Sequence, residues 1–257
     1  MIKGIGFEHT KFNFPCGEMH VKITHPVPKH VSLHFIFEKN EDIIELLLVA
    51  DALKQADMIL ESIAIGYVPF GRQDRVAVPG EAFSLKVFAN LINGLGAKEV
   101  CIVDPHSDVT MALIENSKVV RQDVIFLHYF ENRTDFYLIS PDGGALKKIY
   151  KLASQVDCLG VIECTKDRDV KTGDITKTIV HHEDLEGKDC VMVDDICDGG
   201  RTFVEIAKVL KKKNAGKITL MVTHGKFTKG LEVFKGLIDE IYTNKGKVTY
   251  DTTASLH

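Results

Sequence analysis

No apolar run in this 257-residue chain reaches the length of a membrane span, so a membrane-spanning helix is not expected. The opening residues, Met1-Ile2-Lys3-Gly4-Ile5-Gly6, lack the apolar region of a signal peptide. No CxxC pair occurs among the six cysteines, Cys16, Cys101, Cys158, Cys164, Cys190 and Cys197. Several of them lie inside apolar runs, and they read as buried free thiols in a reducing, cytoplasmic setting. Net charge is −4 and no dense basic face occurs, which argues against nucleic acid as a partner. The pair His181-His182 has no flanking ligands and reads as a solvated loop. Low-complexity segments and long linkers are absent as well.

What remains is an ordinary globular composition, 45% hydrophobic and 26% charged, long enough for one large or two ordinary domains. Helical and strand patterns alternate. Helices are expected at Glu41 to Ala56, Phe83 to Ile92, Ala145 to Ala153 and Phe203 to Leu210. Strands are expected at Ser62 to Val68, Asp135 to Ile139, Cys158 to Cys164 and Cys190 to Val193, with one or two more between Lys118 and Phe130. Continuous apolar strands alternating with helices predict an α/β fold, a mainly parallel sheet covered on both faces. Two segments share a plan: Leu95 to His106 and Asn214 to Gly225. Each leaves a helix at a glycine, supplies a lysine, enters an apolar strand and reaches a histidine. This repetition suggests two α/β halves, joined near Asn116 to Asp123.

The most specific stretch is Val191-Met192-Val193-Asp194-Asp195-Ile196-Cys197-Asp198-Gly199-Gly200-Arg201-Thr202. It runs from an apolar strand through two acids, placed at the strand end, into a glycine turn and a helix. Backbone N–H groups converge in such a turn and favour an anion. Adjacent carboxylates suit a sugar diol. A ribose 5-phosphate fits both halves of the pattern. Helix capping alone accounts for one acid and one glycine, not for Asp194, Asp195, Asp198, Gly199, Gly200 and Thr202 together.

Four further clusters follow apolar segments, where ligands bind in such sheets. Arg72-Gln73-Asp74-Arg75 offers two guanidinium groups suited to polyphosphate, or a surface ion-pair loop. Asp104-Pro105-His106 and Ser140-Pro141-Asp142 each offer a metal ligand or a strand cap; Mg2+ on a triphosphate needs few protein ligands. Cys164 to Asp174 is polar and charged, and a mobile loop is expected there. Its Lys166 and Arg168 would offset charge on a transferring phosphate if that loop closed.

These clusters, in this order, resemble the ribose-phosphate pyrophosphokinase (PRPP synthetase) family, of which the chain looks like a short divergent member. Phe14-Pro15-Cys16-Gly17-Glu18 is similar to the family's Phe-x-Asp-Gly-Glu. Glu45 to Lys54 is similar to its first-domain helix, and Arg72 to Arg75 to its ATP loop. Asp104-Pro105-His106 resembles Asp-Leu-His, Ser140-Pro141-Asp142 matches Ser-Pro-Asp, and Lys166-Asp167-Arg168 falls at the catalytic Lys-x-Arg. Asp194 to Thr202 resembles the ribose-phosphate loop, and Thr223-His224-Gly225 matches a Thr-His-Gly.

The resemblance implies two phosphoribosyltransferase-like domains, 1–120 on the ATP side and 121–257 on the ribose-phosphate side. It implies transfer of the β,γ-diphosphate of ATP to the anomeric hydroxyl of ribose 5-phosphate. Lys166 and Arg168 would be catalytic. Phe14, Glu18, Arg72, Gln73, Arg75 and His106 would bind ATP, with Phe14 and Glu18 reaching the adenine of a neighbouring subunit. Asp194 and Asp195 would hold the ribose diol, and Asp198, Gly199, Gly200, Arg201 and Thr202 its 5-phosphate. His106 and Asp142 would hold Mg2+. A homo-oligomer, a dimer or a hexamer of dimers, is implied.

The chain also departs from the family pattern. Cys16 stands where an Asp is usual, and Val76-Ala77-Val78-Pro79-Gly80 replaces a basic run. The stretch between Ile23 and Glu41 is short. Gly199 replaces a hydroxyl residue and Arg201 a small one. The extra guanidinium suits an acceptor carrying more than a monophosphate, such as ADP-ribose. A non-catalytic regulatory subunit and a PRPP-consuming transferase are the other readings. Retention of His106 and Lys166 speaks against the first, and the Arg72 and His106 clusters against the second.

Overall fold

A computed structural model describes residues 1–24, 28–168 and 175–250, with the backbone alone for 166–168 and 175–177. The chain divides into two compact units, Met1–Arg121 and Gln122–His257.

The first unit holds β1 (Ile2–Ile5), β2 (His9–Asn13), β3 (Met19–Ile23), β4 (His30–Phe35), α1 (Glu41–Gln55), β5 (Ile59–Ile65), α2 (Ser84–Gly94), β6 (Glu99–Val103), α3 (Asp108–Leu113) and β7 (Ser117–Val120). Its five-stranded sheet has the order β1-β4-β5-β6-β7, parallel except for β1. Leu33, Phe35, Ile63, Ile65 and Ile102 from the sheet pack with Leu46 and Val49 of α1 and Leu85 and Phe88 of α2. The β2–β3 hairpin forms a separate ribbon. It is fastened to α1 by the buried Glu45, which accepts from His9 Nε2 at 3.0 Å and Lys11 Nζ at 2.5 Å.

The second unit holds α4 (Gln122–Phe126), a 3₁₀ turn, β8 (Phe136–Ser140), α5 (Leu146–Ala153), β9 (Gly160–Arg168), β10 (Ile175–Val180), β11 (Asp189–Cys197), α6 (Arg201–Lys212), β12 (Ile218–Gly225), β13 (Glu240–Thr243) and β14 (Gly246–Val248). Its seven strands run β10-β9-β8-β11-β12-β13-β14, with parallel pairing from β9 through β13. Along β11, Val191 and Val193 pack with Leu138, Ile149 and Met221 on one face. Cys190 and Met192 pack with Phe203, Ile206, Leu220 and Val222 on the other. Both faces are covered, which is why the run is apolar without alternation. α6 buries Phe203, Ile206, Ala207 and Leu210, a stripe at helical spacing, and carries Lys211 and Lys212 in its last turn.

Several local expectations are corrected. β5 begins at Ile59 and ends at Ile65, three residues earlier than its apolar pattern suggests. Lys118 to Phe130 contains one strand, β7, followed by α4 and the 3₁₀ turn. β11 continues to Cys197, so Asp194 and Asp195 lie inside the strand rather than at its end. α6 starts at Arg201, not Phe203. Lys166 and Arg168 are on a strand rather than in a loop, because antiparallel pairing with β10 carries β9 outward, Lys166 opposite Thr178 and Arg168 opposite Ile175. Asp169 to Asp174, the rest of that expected loop, lies outside the described residues.

All six cysteines are free thiols. Burial pushes those of Cys190 and Cys197 up to about 12. No helix among the described residues is long and apolar enough to cross a membrane.

Candidate active site

In the second unit, Asp194 and Asp195 lie past the point where β8 stops pairing with β11, and the charge of Asp142 acts on Asp194. Asp142 follows β8, and its Oδ1 accepts from the N–H groups of Gly144 at 3.1 Å and Ala145 at 3.3 Å, closing a side-chain turn just before α5. Asp194 and Asp195 project from β11. The Asp195 N–H donates to Asp194 Oδ1 at 2.9 Å. Protein surrounds the Asp194 carboxyl on most sides, although its residue keeps a window to solvent. Burial, then the neighbouring charge of Asp195 and of Asp142, push its pKa well above the usual carboxylate range. A partly desolvated carboxylate beside like charge is stabilised by whatever neutralises it, a cation or a set of hydroxyl donors.

Beyond Cys197 comes the turn Asp198-Gly199-Gly200. Gly200 has φ +78°, the left-handed region, and leads straight into α6. Arg201 and Thr202 are therefore the first two residues of that helix, where N–H groups have no partner within the helix and favour an anion. The turn is braced by the segment after β12. Cys197 O accepts from Lys226 N at 2.8 Å, Asp198 O from Thr228 N at 3.1 Å, and Asp198 Oδ1 from Thr228 Oγ1 at 2.8 Å. The stem of Lys229 runs beside Gly199, with its Cδ and Cε 3.5 Å from where a Cβ would stand. Thr228 and Lys229 escape a sequence reading of the turn. Only their place directly after the Thr223-His224-Gly225 strand end hints at a role.

In the first unit, the segment after β5 carries Arg72, Gln73, Asp74 and Arg75. It is shaped by Phe70, whose φ of +60° is stabilised by packing against Phe37 and Phe88, with ring centroids 6.3 and 6.5 Å away. A Cβ on Gly71 would stand 3.7 Å from His106 Cβ, so this loop and the Asp104-Pro105-His106 segment are neighbours. Asp74 is buried, and Arg75 Nε donates to its Oδ1 at 2.9 Å. Burial opposes ionisation of Asp74, but Ser107, Arg75 and His106 outweigh it and hold the carboxyl below its ordinary range. Asp74 thus anchors Arg75, whose side chain is 77% exposed.

Phe14 and Glu18 sit at the tip of the β2–β3 hairpin, closed by Phe14 N to Glu18 O at 2.8 Å. Phe14 is exposed and packs edge-on against Phe12 at 5.0 Å. The structure thus brings the loop carrying Arg72 to Arg75 beside His106 within the first unit; within the second, Asp194 neighbours Asp195 and feels the charge of Asp142. The side chains of Lys166 and Arg168 lie outside the described residues.

Two family profiles match the chain. One, the N-terminal domain of ribose phosphate pyrophosphokinase, covers residues 7–96, and the other, the phosphoribosyl transferase domain, covers residues 112–248. The chain belongs to the ribose-phosphate pyrophosphokinase family. The enzyme of that name from Agrobacterium fabrum is 31% identical over 202 residues, covering 76% of this chain and 63% of the relative. Its counterpart from Thermosipho africanus is 30% identical over 248 residues, covering 89% of this chain and 75% of the relative. This family member therefore spans under two thirds of the first relative's length and three quarters of the second's. Its fold is similar to that of phosphoribosylpyrophosphate synthetase from Mycobacterium smegmatis, with a TM-score of 0.77 at 22% identity, covering 97% of this chain and 84% of that one.

Proposed function

We propose that this protein is a ribose-phosphate pyrophosphokinase, which transfers the β,γ-diphosphate of ATP to the anomeric hydroxyl of ribose 5-phosphate. The new bond joins the anomeric oxygen to the β-phosphorus, the bond from that phosphorus to the α-phosphate oxygen breaks, and AMP leaves. The observation that carries this reading is the sequence of features along one strand and turn: a half-buried Asp194 and a buried Asp195, then Gly199-Gly200 and the start of α6. Membership of the ribose-phosphate pyrophosphokinase family supports that reaction.

In this reading Asp194 and Asp195 accept hydrogen bonds from the ribose diol, while the turn from Asp198 to Thr202 holds the 5-phosphate. Arg72, Gln73, Arg75 and His106 bind the triphosphate, and Phe14 and Glu18 contact adenine across a subunit boundary. Lys166 and Arg168 offset charge on the transferring group. The enzyme is cytoplasmic and homo-oligomeric.

Mg2+ fits the donor set. Among the described residues no three His, Cys, Asp or Glu side chains converge to enclose a metal. Mg2+ does not need such a cage, since it takes one or two carboxylates and keeps water. Asp142, in the second unit, would hold a hard cation that relieves negative charge near Asp194, and His106, in the first unit, would be a ligand for a cation on ATP. When bound, the cation neutralises polyphosphate charge.

A second reading keeps the chemistry and enlarges the acceptor to a 5-substituted ribose such as ADP-ribose. It is favoured by Arg201 at the first position of α6 and by the Lys229 stem along Gly199, two cations beside a turn that a monophosphate already satisfies. One assay separates the readings: incubate the protein with Mg-ATP and either acceptor, and follow AMP by chromatography. AMP with ribose 5-phosphate supports the first, AMP with ADP-ribose alone supports the second, and AMP with neither overturns both.

A further inference from the structure

The pairing between β8 and β11 stops at Met192, whereas β12 stays paired with β11 as far as Cys197. The acid-bearing end of β11 has therefore lost one of its two strand neighbours. A side chain from outside the sheet reaches it. Gln122, the first residue of α4 and only 4% exposed, donates through Nε2 to the Asp194 carbonyl oxygen at 2.6 Å. The same nitrogen lies 3.4 Å from Thr223 Oγ1, a fully buried hydroxyl on β12. Gln122 is held in place in turn. Its neighbour Asp123 accepts from Gln155 Nε2 at 2.9 Å, and Phe126 is buried in the core.

The Asp194 carbonyl and the Asp195 N–H belong to one planar peptide group. Gln122 fixes its oxygen end, and the Asp194 carboxylate accepts from its nitrogen end at 2.9 Å. Rotation of that peptide plane would carry the Asp195 N–H away from the Asp194 carboxylate, which would then lose its anchor. We infer that Gln122 is a positioning residue for the acceptor: by holding the 194–195 peptide it keeps the Asp195 N–H on the Asp194 carboxylate and so sets the angle at which that carboxylate meets the sugar diol. This rests on the proposal that Asp194 and Asp195 bind ribose. Gln122 makes no contact with substrate in this scheme.

The test compares Gln122→Leu, Asp194→Asn and the double variant, each assayed for KM toward ribose 5-phosphate and toward ATP, with Tm measured alongside. Leucine keeps the volume and removes the donor. We expect Gln122→Leu to raise KM for ribose 5-phosphate about tenfold and to leave KM for ATP unchanged. We expect the double variant to be no worse than Asp194→Asn alone, because Gln122 acts only through that residue. If Asp194→Asn weakens the acceptor and Gln122→Leu does not, Gln122 has no positioning role. Equal rises in both KM values with a lowered Tm would mark Gln122 as merely structural. An unchanged KM in Asp194→Asn would overturn the ribose assignment itself, and the inference with it. Gln122→Met, of similar length and more adaptable, replaces the leucine variant if that one fails to fold.

Discussion

A Cβ added to Gly200 would stand 2.4 Å from Cζ of Phe234 and 2.7 Å from its Cε1. Phe234 is fully buried, so its ring has little room to retreat. The turn that leads into α6 is therefore closed against any side chain at this position, both by its φ of +78° and by packing. Gly200→Ala should cost roughly 1–2 kcal/mol for the left-handed backbone and about 1–3 kcal/mol for overpacking. It should also displace the first N–H groups of α6 and raise KM for the acceptor. Chemical denaturation reads the first effect and steady-state kinetics the second. Adding Phe234→Leu should recover part of the stability, and wild-type stability in Gly200→Ala would show that the ring is not a barrier.

Asp194 illustrates a site that works against its own fold. Its carboxyl is destabilised in the charged form by burial first, then by Asp195 and Asp142. Asp194→Asn removes that charge, so at neutral pH the variant should be more stable, on the order of 1 kcal/mol or more, while turnover falls by orders of magnitude. Mg2+ should raise the Tm of the wild type more than that of the variant. Thermal melts with and without Mg2+ check this, and a lower Tm in the variant would contradict the account.

Glu240 offers a pH test away from the site. Burial opposes its ionisation, but hydrogen bonds from Lys217 and Lys247 outweigh it and bring the carboxyl down to about 2. The contacts are Lys217 Nζ to Oε2 at 2.8 Å and Lys247 Nζ to Oε1 at 2.6 Å. A carboxylate lowered on folding stabilises fully above its unfolded value, ordinarily about 4.3, and loses that contribution as pH falls through its folded value. Glu240→Gln should thus cost about 1–2 kcal/mol at pH 7, discounted because both lysines are partly exposed. The gap to wild type should narrow between pH 4.5 and 2 in urea titrations. A gap that stays constant with pH would rule out the ion pairs as its source.

Glu45 clamps the β2–β3 hairpin, and Phe14 and Glu18 ride at the tip of that hairpin. Breaking a buried charged contact costs about 1–3 kcal/mol. Glu45→Gln should cost a similar amount and raise KM for ATP without changing KM for ribose 5-phosphate. A change confined to the acceptor would detach the hairpin from nucleotide binding.

Lys166 and Arg168 lead outward along β9 rather than in a loop. Replacing either by Ala should lower turnover by orders of magnitude with an unchanged circular dichroism spectrum. Undiminished turnover would remove them from the mechanism.

Much of the fold is legible in local pattern. The unbroken apolar run before Asp194 signals a strand covered on both faces, and the Phe203, Ile206, Leu210 spacing signals a helix lying on it. Boundaries were less legible. Lys166 to Arg168 look like loop residues because charge and turn formers dominate there, yet pairing with β10 extends the strand. Gln122 and Asp123 look like a polar junction, yet both are buried. No local periodicity distinguishes a solvated glutamine from one that serves a distant carbonyl.

By itself, the order of residues determined the α/β class, the family and the identities of the chemical groups on offer: two acids, a double glycine, paired guanidiniums. Those are properties of nearest neighbours along the chain, carried by backbone preference and hydrophobic spacing. Tertiary structure alone decided how those groups are held. It set Phe234 against Gly200, the charge of Asp142 acting on Asp194, Lys229 along Gly199 and Gln122 on the Asp194 carbonyl. These depend on contacts between residues far apart in sequence, and such contacts exist only after the sheet has closed.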